Sequence, residues 1–215
     1  MYKRQVPDWT REAILGGVER ALRELRTDRI DVFLLHSCDL GRLAQGDLVR
    51  ALEHVRALGK VRAIGYSGDG TALGWAVDCG AFDVIECSLN LVDQHALEAG
   101  IVDRARDRGI GVIAKRALAN APWGAETRSP DDYRSRFAAM WPDARDIVGA
   151  QWHDTAIRFA AYAPGVSSAL VGTASLDHLA SAVRSARRGP LEPAPWHDVA
   201  SRFRASGGSG WQGVV

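Results

Sequence analysis

Hydrophobic and polar positions along the chain alternate between two periods. Five short runs are dominated by Val, Ile and Leu: Ile30 to His36, Val61 to Ser67, Phe82 to Ser88, Ile110 to Arg116 and Val166 to Thr173. They mostly lack a polar-out alternation, which predicts five strands buried on both faces, as in a parallel sheet. Between them lie stretches of helical period. TREAILGGVERALRELR, Thr10 to Arg26, carries Ile14, Val18, Leu22 and Leu25 at helical spacing behind Thr10, a candidate N-cap. Further helices are expected at Asp47 to Leu58, Thr71 to Cys79, Gln94 to Arg108, Gly149 to Ala163 and Ser175 to Arg187, with Gly59 and Gly109 placed to close two of them.

Strands alternating with helices through right-handed crossovers leave two main architectures, an open doubly wound sheet and a closed (β/α)8 barrel. No G-x-G-x-x-G follows a strand, which moves the barrel ahead, although five runs stand where a barrel has eight strands. Residues 117–149 break the rhythm with Trp123, TRSPDDYR and WPDARD, and a helix is expected to start near Asp131. This segment reads as an elaborated loop on the substrate side of a barrel. Trp123 is then either a pocket wall or an aromatic that packs the loop down. Residues 206–215 have the composition of a flexible tail, with Trp211 able to dock.

Composition narrows the function classes. A chain of 215 residues, 47% hydrophobic and 25% charged, has enough apolar material for a substantial core. Its 27 basic and 26 acidic residues leave a net charge of +1 without long runs of either sign, which argues against nucleic acid and membrane surfaces as partners. Cys38, Cys79 and Cys87 form an odd set with no C-x-x-C pair. This speaks against a disulfide framework or structural zinc and for a reducing cytoplasm. The first residues, MYKRQVPDWTRE, precede no apolar signal segment.

In a barrel, polar residues at the C-terminal ends of the strands face the active-site mouth. Those positions hold His36, Ser37, Ser67, Glu86, Ser88, Asn90, Lys115, Arg116, Gly172 and Thr173. A single strand-end histidine is commonly a hydrogen-bonded structural residue, but five polar strand ends together favour a site. Cys38, beside His36, has neither a base orienter nor an oxyanion elbow at a suitable spacing and is set aside as a nucleophile.

The phrases LRELRTDRIDVFLLHS, ALGKVRAIGYSG, FDVIECSLNLVDQ, GIGVIAKRALAN and LVGTASLDHL resemble the aldo-keto reductase family over nearly the whole chain. The resemblance implies an α/β fold, a (β/α)8 barrel lacking roughly its first three strands, with residues 1–215 as a single partial barrel domain. The implied activity is hydride transfer between a nicotinamide cofactor and an aldehyde or ketone, using a tetrad of Asp, Tyr, Lys and His. The histidine falls on His36. Gapless alignment puts the lysine on Lys3, 33 positions earlier. The Asp and Tyr belong to a segment that would precede Met1. Tyr66 lies near a strand end without any feature that makes it a substitute acid.

For the cofactor, the resemblance places Ser67 and Glu86 at the nicotinamide carboxamide, with Glu86 where the family has Gln. Lys115 takes the position of a stacking ring and is placed either to meet a phosphate or to pair with Glu86. Gly172, Thr173 and Ser175 open a helix whose N-terminus suits a phosphate. His178 stands where the family has an arginine for the adenosine 2′-phosphate, and Ala182 where it has Asn. Arg184, Arg187 and Arg188 either keep this area positive or form a solvated helix end. NADP(H) is expected ahead of NAD(H), with a small-molecule carbonyl substrate. The short chain is read as an oxidoreductase of reduced activity. The other reading is a non-catalytic nucleotide-binding or protein-interaction relative that self-associates through an exposed barrel edge.

Overall fold

The computed structural model describes residues 2–3, 9–123, 132–142 and 149–211. In chain order the elements are β1 (Tyr2–Lys3), α1 (Arg11–Leu25), β2 (Ile30–His36), α2 (Leu40–Leu43), α3 (Asp47–Ala57), β3 (Val61–Ser67), α4 (Gly70–Asp78), β4 (Val84–Ser88), α5 (His95–Glu98), α6 (Ile101–Asp107), β5 (Gly111–Lys115), α7 (Tyr133–Met140), α8 (Gly149–Ala161), β6 (Ser168–Ala169), α9 (Leu176–Arg187) and α10 (Pro193–Ala205), followed by a 3-10 turn at Gly208–Gly210. The chain gathers into two compact units. One comprises Met1–Cys87 with Arg104–Gly111, the other Ser88–Asp103 with Val112–Val215. None of the helices described is long and apolar enough to cross a membrane.

In the first unit β1 to β4 pair in sequence order, all parallel, with Lys3 opposite Leu34, His36 opposite Ser67, and Ser67 opposite Glu86. The period of two then puts Leu34, His36, Gly65, Ser67, Val84 and Glu86 on one face. Phe33, Leu35, Ile64, Tyr66, Ile85 and Cys87 occupy the other. Leu34, Leu35, Ile64 and Ile85 are all buried, so neither face is left to water and the runs read as continuously apolar. Gly65 is required by a close approach. A Cβ there would stand 2.2 Å from the Val84 carbonyl oxygen and 2.5 Å from Leu34 Cδ2.

Thr10 accepts a hydrogen bond from the Ala13 N–H at 3.1 Å and starts α1, which buries Ile14, Val18 and Ala21 and packs against α3. Leu25, expected on the buried face, ends the helix half exposed. Gly59 (φ +74°) and Gly109 (φ +71°) close α3 and α6 in the left-handed conformation that glycine adopts without penalty.

In the second unit β5 pairs with β6, Ile113 opposite Ser168 and Ala114 opposite Ala169. The ladder runs one bond further, from the Leu170 N–H to the Ala114 carbonyl at 2.8 Å, before the chain leaves the strand. Hence β6 is shorter than the run from Val166 to Thr173. The helix expected from Gln94 to Arg108 is divided into α5 and α6 at Gly100, whose φ is +63°.

The described part of the 117–149 segment is anchored by aromatics. Phe137 lies 5.0 Å from Trp141, 4.8 Å from Trp152 and 6.1 Å from Trp123, between ring centroids. Asp132 caps α7 by accepting from the Ser135 N–H at 2.8 Å. Asp131, near which that helix was expected to start, lies outside the described residues. Stacking of Trp196 on Phe159, 4.2 Å apart at 19°, docks α10, and Trp211 meets Phe203 edge-on at 5.7 Å.

Candidate functional site

The register of the first unit brings three of the expected residues into one row. His36, Ser67 and Glu86 are successive lateral neighbours at the tips of β2, β3 and β4, with side chains on the same face. The backbone bonding continues past the strand ends. The Ser37 N–H donates to the Ser67 carbonyl at 2.7 Å and the Gly68 N–H to the Glu86 carbonyl at 3.0 Å, which holds the row rigidly. Ser37 itself takes a positive φ of 53°, turning the chain sharply out of β2 directly after His36.

Within the row, Ser67 Oγ donates to Glu86 Oε1 at 2.9 Å, and both side chains are fully buried. The single hydroxyl proton is therefore committed to the carboxylate. What the pair offers to anything else is lone pairs. His36 is half-buried on the same face.

Tyr66 proves unable to share this mouth. Its register puts it on the opposite face, where the hydroxyl donates to the Cys38 carbonyl at 2.6 Å and burial raises it well above the usual phenol range. Cys38 is likewise inert, its thiol pushed up to about 11 by burial and then by Asp39. For Lys3 the backbone of β1 is paired, but the side chain lies outside the described residues.

The second unit contains a cavity of about 680 Å³. Arg116, Asn120 and Trp123 of the segment after β5 form one wall, and Gly172, Thr173 and His178, at the start of α9, form another, with His153 of α8 beside them. The start of α9 is organised by hydroxyls. Thr173 Oγ1 accepts from the Ser175 N–H at 3.1 Å, and Ser175 Oγ accepts from the His178 N–H at 3.3 Å. Gly172 faces open space, with nothing within 4 Å of where a Cβ would stand.

Arg116 donates to Ser88 Oγ at 3.4 Å and has a positive φ of 58°. Close by, Tyr133 donates to Asp93 Oδ2 at 2.9 Å, and its hydroxyl is pushed up to about 12 by burial and then by the Asp93 charge. His153 Nε2 is buried and has no hydrogen-bond partner among the described residues. Its pKa lies below the usual histidine value because of burial first and the nearby His178 second, with Asp154 acting in the opposite direction.

Four of the expected cofactor residues thus gather here: Gly172, Thr173 and His178 line the cavity and Ser175 caps the helix beside it. Lys115 does not line it. Its side chain is buried, and Arg116, one residue on, supplies the cavity with a cation. Arg184 and Arg187 lie in the last turn of α9, at the far end from Thr173, while Arg188 pairs with Asp154 at 2.7 Å. Reasoning from sequence missed His153, a histidine within an amphipathic helix with no local pattern to mark it. The volume, the arginine, the open approach to Gly172 and the unsatisfied His153 nitrogen fit the phosphate-bearing part of a dinucleotide.

No curated protein sequence matches the chain. Among solved structures, the holo form of the aldo-keto reductase AKR11C1 from Bacillus halodurans superposes with a TM-score of 0.75 at 17% identity, covering 91% of this chain and 68% of that one. Its apo form gives 0.74 at 16% identity, with 89% and 68% covered. The thermostable aldo-keto reductase Tm1743, solved with the inhibitor epalrestat, gives 0.70 at 17% identity, with 92% and 69% covered. At this identity the likeness is one of fold, an α/β fold that makes up part of a (β/α)8 barrel. The model of the aldo/keto reductase family matches residues 2–201, and since that match spans nearly every element described above, the chain belongs to the aldo/keto reductase family.

Proposed function

We propose that the chain acts in NAD(P)H-dependent reduction of aldehyde and ketone carbonyls to alcohols. The observation that carries this reading is the row at the strand tips, with His36 half-buried beside the Ser67–Glu86 pair. An imidazole N–H held there orients a carbonyl and stabilises negative charge that develops on its oxygen. The acceptors of Ser67 and Glu86 suit the amide N–H2 of a nicotinamide carboxamide. The family resemblance gives Lys3 the role of the tetrad lysine.

The cavity of the second unit supports assignment of the phosphate-bearing part of the dinucleotide to Arg116, Gly172, Thr173, Ser175 and His178. The bound cofactor supplies the hydride. NADP(H) is preferred over NAD(H) in this reading because Arg116 gives the cavity wall a cation. Three free cysteines, two of them buried, suit a reducing compartment.

One observation favours a second reading, nucleotide binding with little turnover. The hydroxyls of Tyr66, Tyr133 and Tyr162 are each engaged, with Cys38 O, Asp93 Oδ2 and Ala186 O respectively, at 2.6, 2.9 and 2.6 Å. Among the described residues none of these phenols is poised to protonate an alkoxide, a task worth roughly 10²–10⁴-fold in rate. The two readings separate in one cuvette, with NADPH binding followed by fluorescence and its oxidation followed after addition of an aromatic aldehyde. Aldehyde-dependent oxidation supports the first reading. Binding without oxidation supports the second, and absence of binding contradicts both.

A further inference from the structure

We infer that the exposed face of α9 is a self-association surface, on which the same helix of a second copy of this chain docks antiparallel. The inference stands apart from the nucleotide reading, because none of the residues it uses lines the cavity.

Among the described residues six large apolar side chains are exposed, and three of them lie on α9: Leu176 at 83%, Leu179 at 44% and Val183 at 44%. Exposed leucines scattered singly are ordinary on a protein surface. These recur at i, i+3 and i+7, so they fall within about 60° of one another round the helix and form one stripe. The helix already buries its other side, through Ala182 and Ser185, and packs against α8. The stripe is therefore an apolar face additional to the one that the fold uses, and such a face marks an interaction site.

Charge decides which partner fits. Asp177 stands in the first turn of α9 and Arg184 in the last, seven positions on, so the two lie within about 20° of each other on one flank of the stripe. Both are exposed, and neither enters an ion pair among the described residues. A parallel neighbour of the same sequence sets Asp177 against Asp177 and Arg184 against Arg184. An antiparallel one, turned about a two-fold axis near Ala180, brings Asp177 of each copy to Arg184 of the other. It also lays Leu176 of each copy over Val183 of the other. The face is thus complementary to itself in one orientation, as an isologous two-fold contact requires. Ala180, at the crossing, is small and exposed and lets the two backbones approach.

The same geometry keeps the cavity accessible. His178 and Ser181, the residues of α9 that line it, lie more than about 120° round the helix from the centre of the stripe. The contact is small, since a helix of 12 residues is about 18 Å long. A weak dimer is expected, with a dissociation constant of about 10–100 µM.

The test is sedimentation equilibrium of the full chain at low ionic strength, from about 5 to about 500 µM. The unaltered chain is expected to pass from monomer to dimer over this range. Asp177→Arg and Arg184→Glu each set like charges against one another at both ends of the contact, and each alone is expected to weaken dimerisation about tenfold. Mixed in equal amounts, the two variants are expected to restore it as a heterodimer, because both contacts then pair opposite charges. Each variant carries the same charge on its own helix in the mixture as it does alone, so restoration cannot come from helix stability. A chain that stays monomeric throughout overturns the inference and leaves the stripe to another occupant, such as a further strand and helix of a barrel. Association that the single changes do not alter, or that mixing does not restore, overturns it as well.

Discussion

Ser67 Oγ donates its only proton to Glu86 Oε1 across 2.9 Å, in a pair whose side chains are both fully buried. A glutamine in place of Glu86 keeps an oxygen to accept that bond and brings two N–H donors to the row. Under the proposed function the second carboxylate oxygen accepts from the carboxamide N–H2, so Glu86→Gln weakens NADPH binding about fivefold, the worth of about one net hydrogen bond. Titration calorimetry reads this directly. Unchanged or tighter binding means that Glu86 does not accept from the carboxamide.

Tyr66 and His36 are separated by strand parity. Tyr66→Phe leaves the buried Cys38 carbonyl without its donor and is expected to cost about 1–3 kcal/mol of stability in urea unfolding. Any aldehyde reduction stays unchanged. His36→Gln is expected to do the reverse, preserving stability within about 1 kcal/mol while lowering turnover at least tenfold. Loss of turnover in a folded Tyr66→Phe protein contradicts the assignment of faces.

Two glycines are constrained by different neighbours. At Gly65 an added Cβ collides with the Val84 backbone, so Gly65→Ala is expected to lose roughly 3 kcal/mol or more. At Gly172 the chain itself offers no obstacle, and Gly172→Ala leaves the melting temperature unchanged. If a phosphate approaches that backbone, the same change weakens NADPH binding about tenfold. Unaltered affinity places the phosphate elsewhere.

One surface pair resists acid until low pH. Arg42 Nη2 donates to Asp47 Oδ2 at 2.6 Å, and the guanidinium lowers the Asp47 carboxyl from 3.8 to about 2. A carboxyl depressed on folding contributes stability that is present above its unfolded value and is lost as pH falls through its folded one. The Arg42–Asp47 contribution is therefore lost between about pH 4 and about pH 2. An NMR titration of the Asp47 carboxyl carbon is expected to find its midpoint near 2. A midpoint near 4 shows that the pair does not persist in solution.

Two of the strands were legible from sequence to the residue. Ile30 to His36 and Val61 to Ser67 are bounded as their apolar runs are, because both faces are buried and the pattern has no competing period. Thr10 was legible as a cap because a hydroxyl before a helical run has a specific use, and Ser175 was legible as opening a helix, where the structure makes it the cap. The run from Val166 to Thr173 misled, since its last three residues, Val171 to Thr173, leave the ladder after Leu170 to line the cavity. The helix Pro193–Ala205 gave little signal, its prolines being the residues that also punctuate loops, although Pro is well suited to a first helical turn. At the site, strand-end position identified His36, Ser67 and Glu86, and the glycine–hydroxyl pattern identified Gly172 and Thr173. His153 and the role of Arg116 depend on which helices and loops surround the cavity, which no local pattern encodes.

Hydrogen–deuterium exchange of the chain with and without NADPH tests the central claim most directly, because it reports where the nucleotide lies without requiring turnover. The account predicts slower exchange of backbone amides within 116–123 and 172–178, the two walls that supply Arg116, Gly172 and the start of α9. Binding that leaves both segments unprotected, or that protects others in their place, contradicts it.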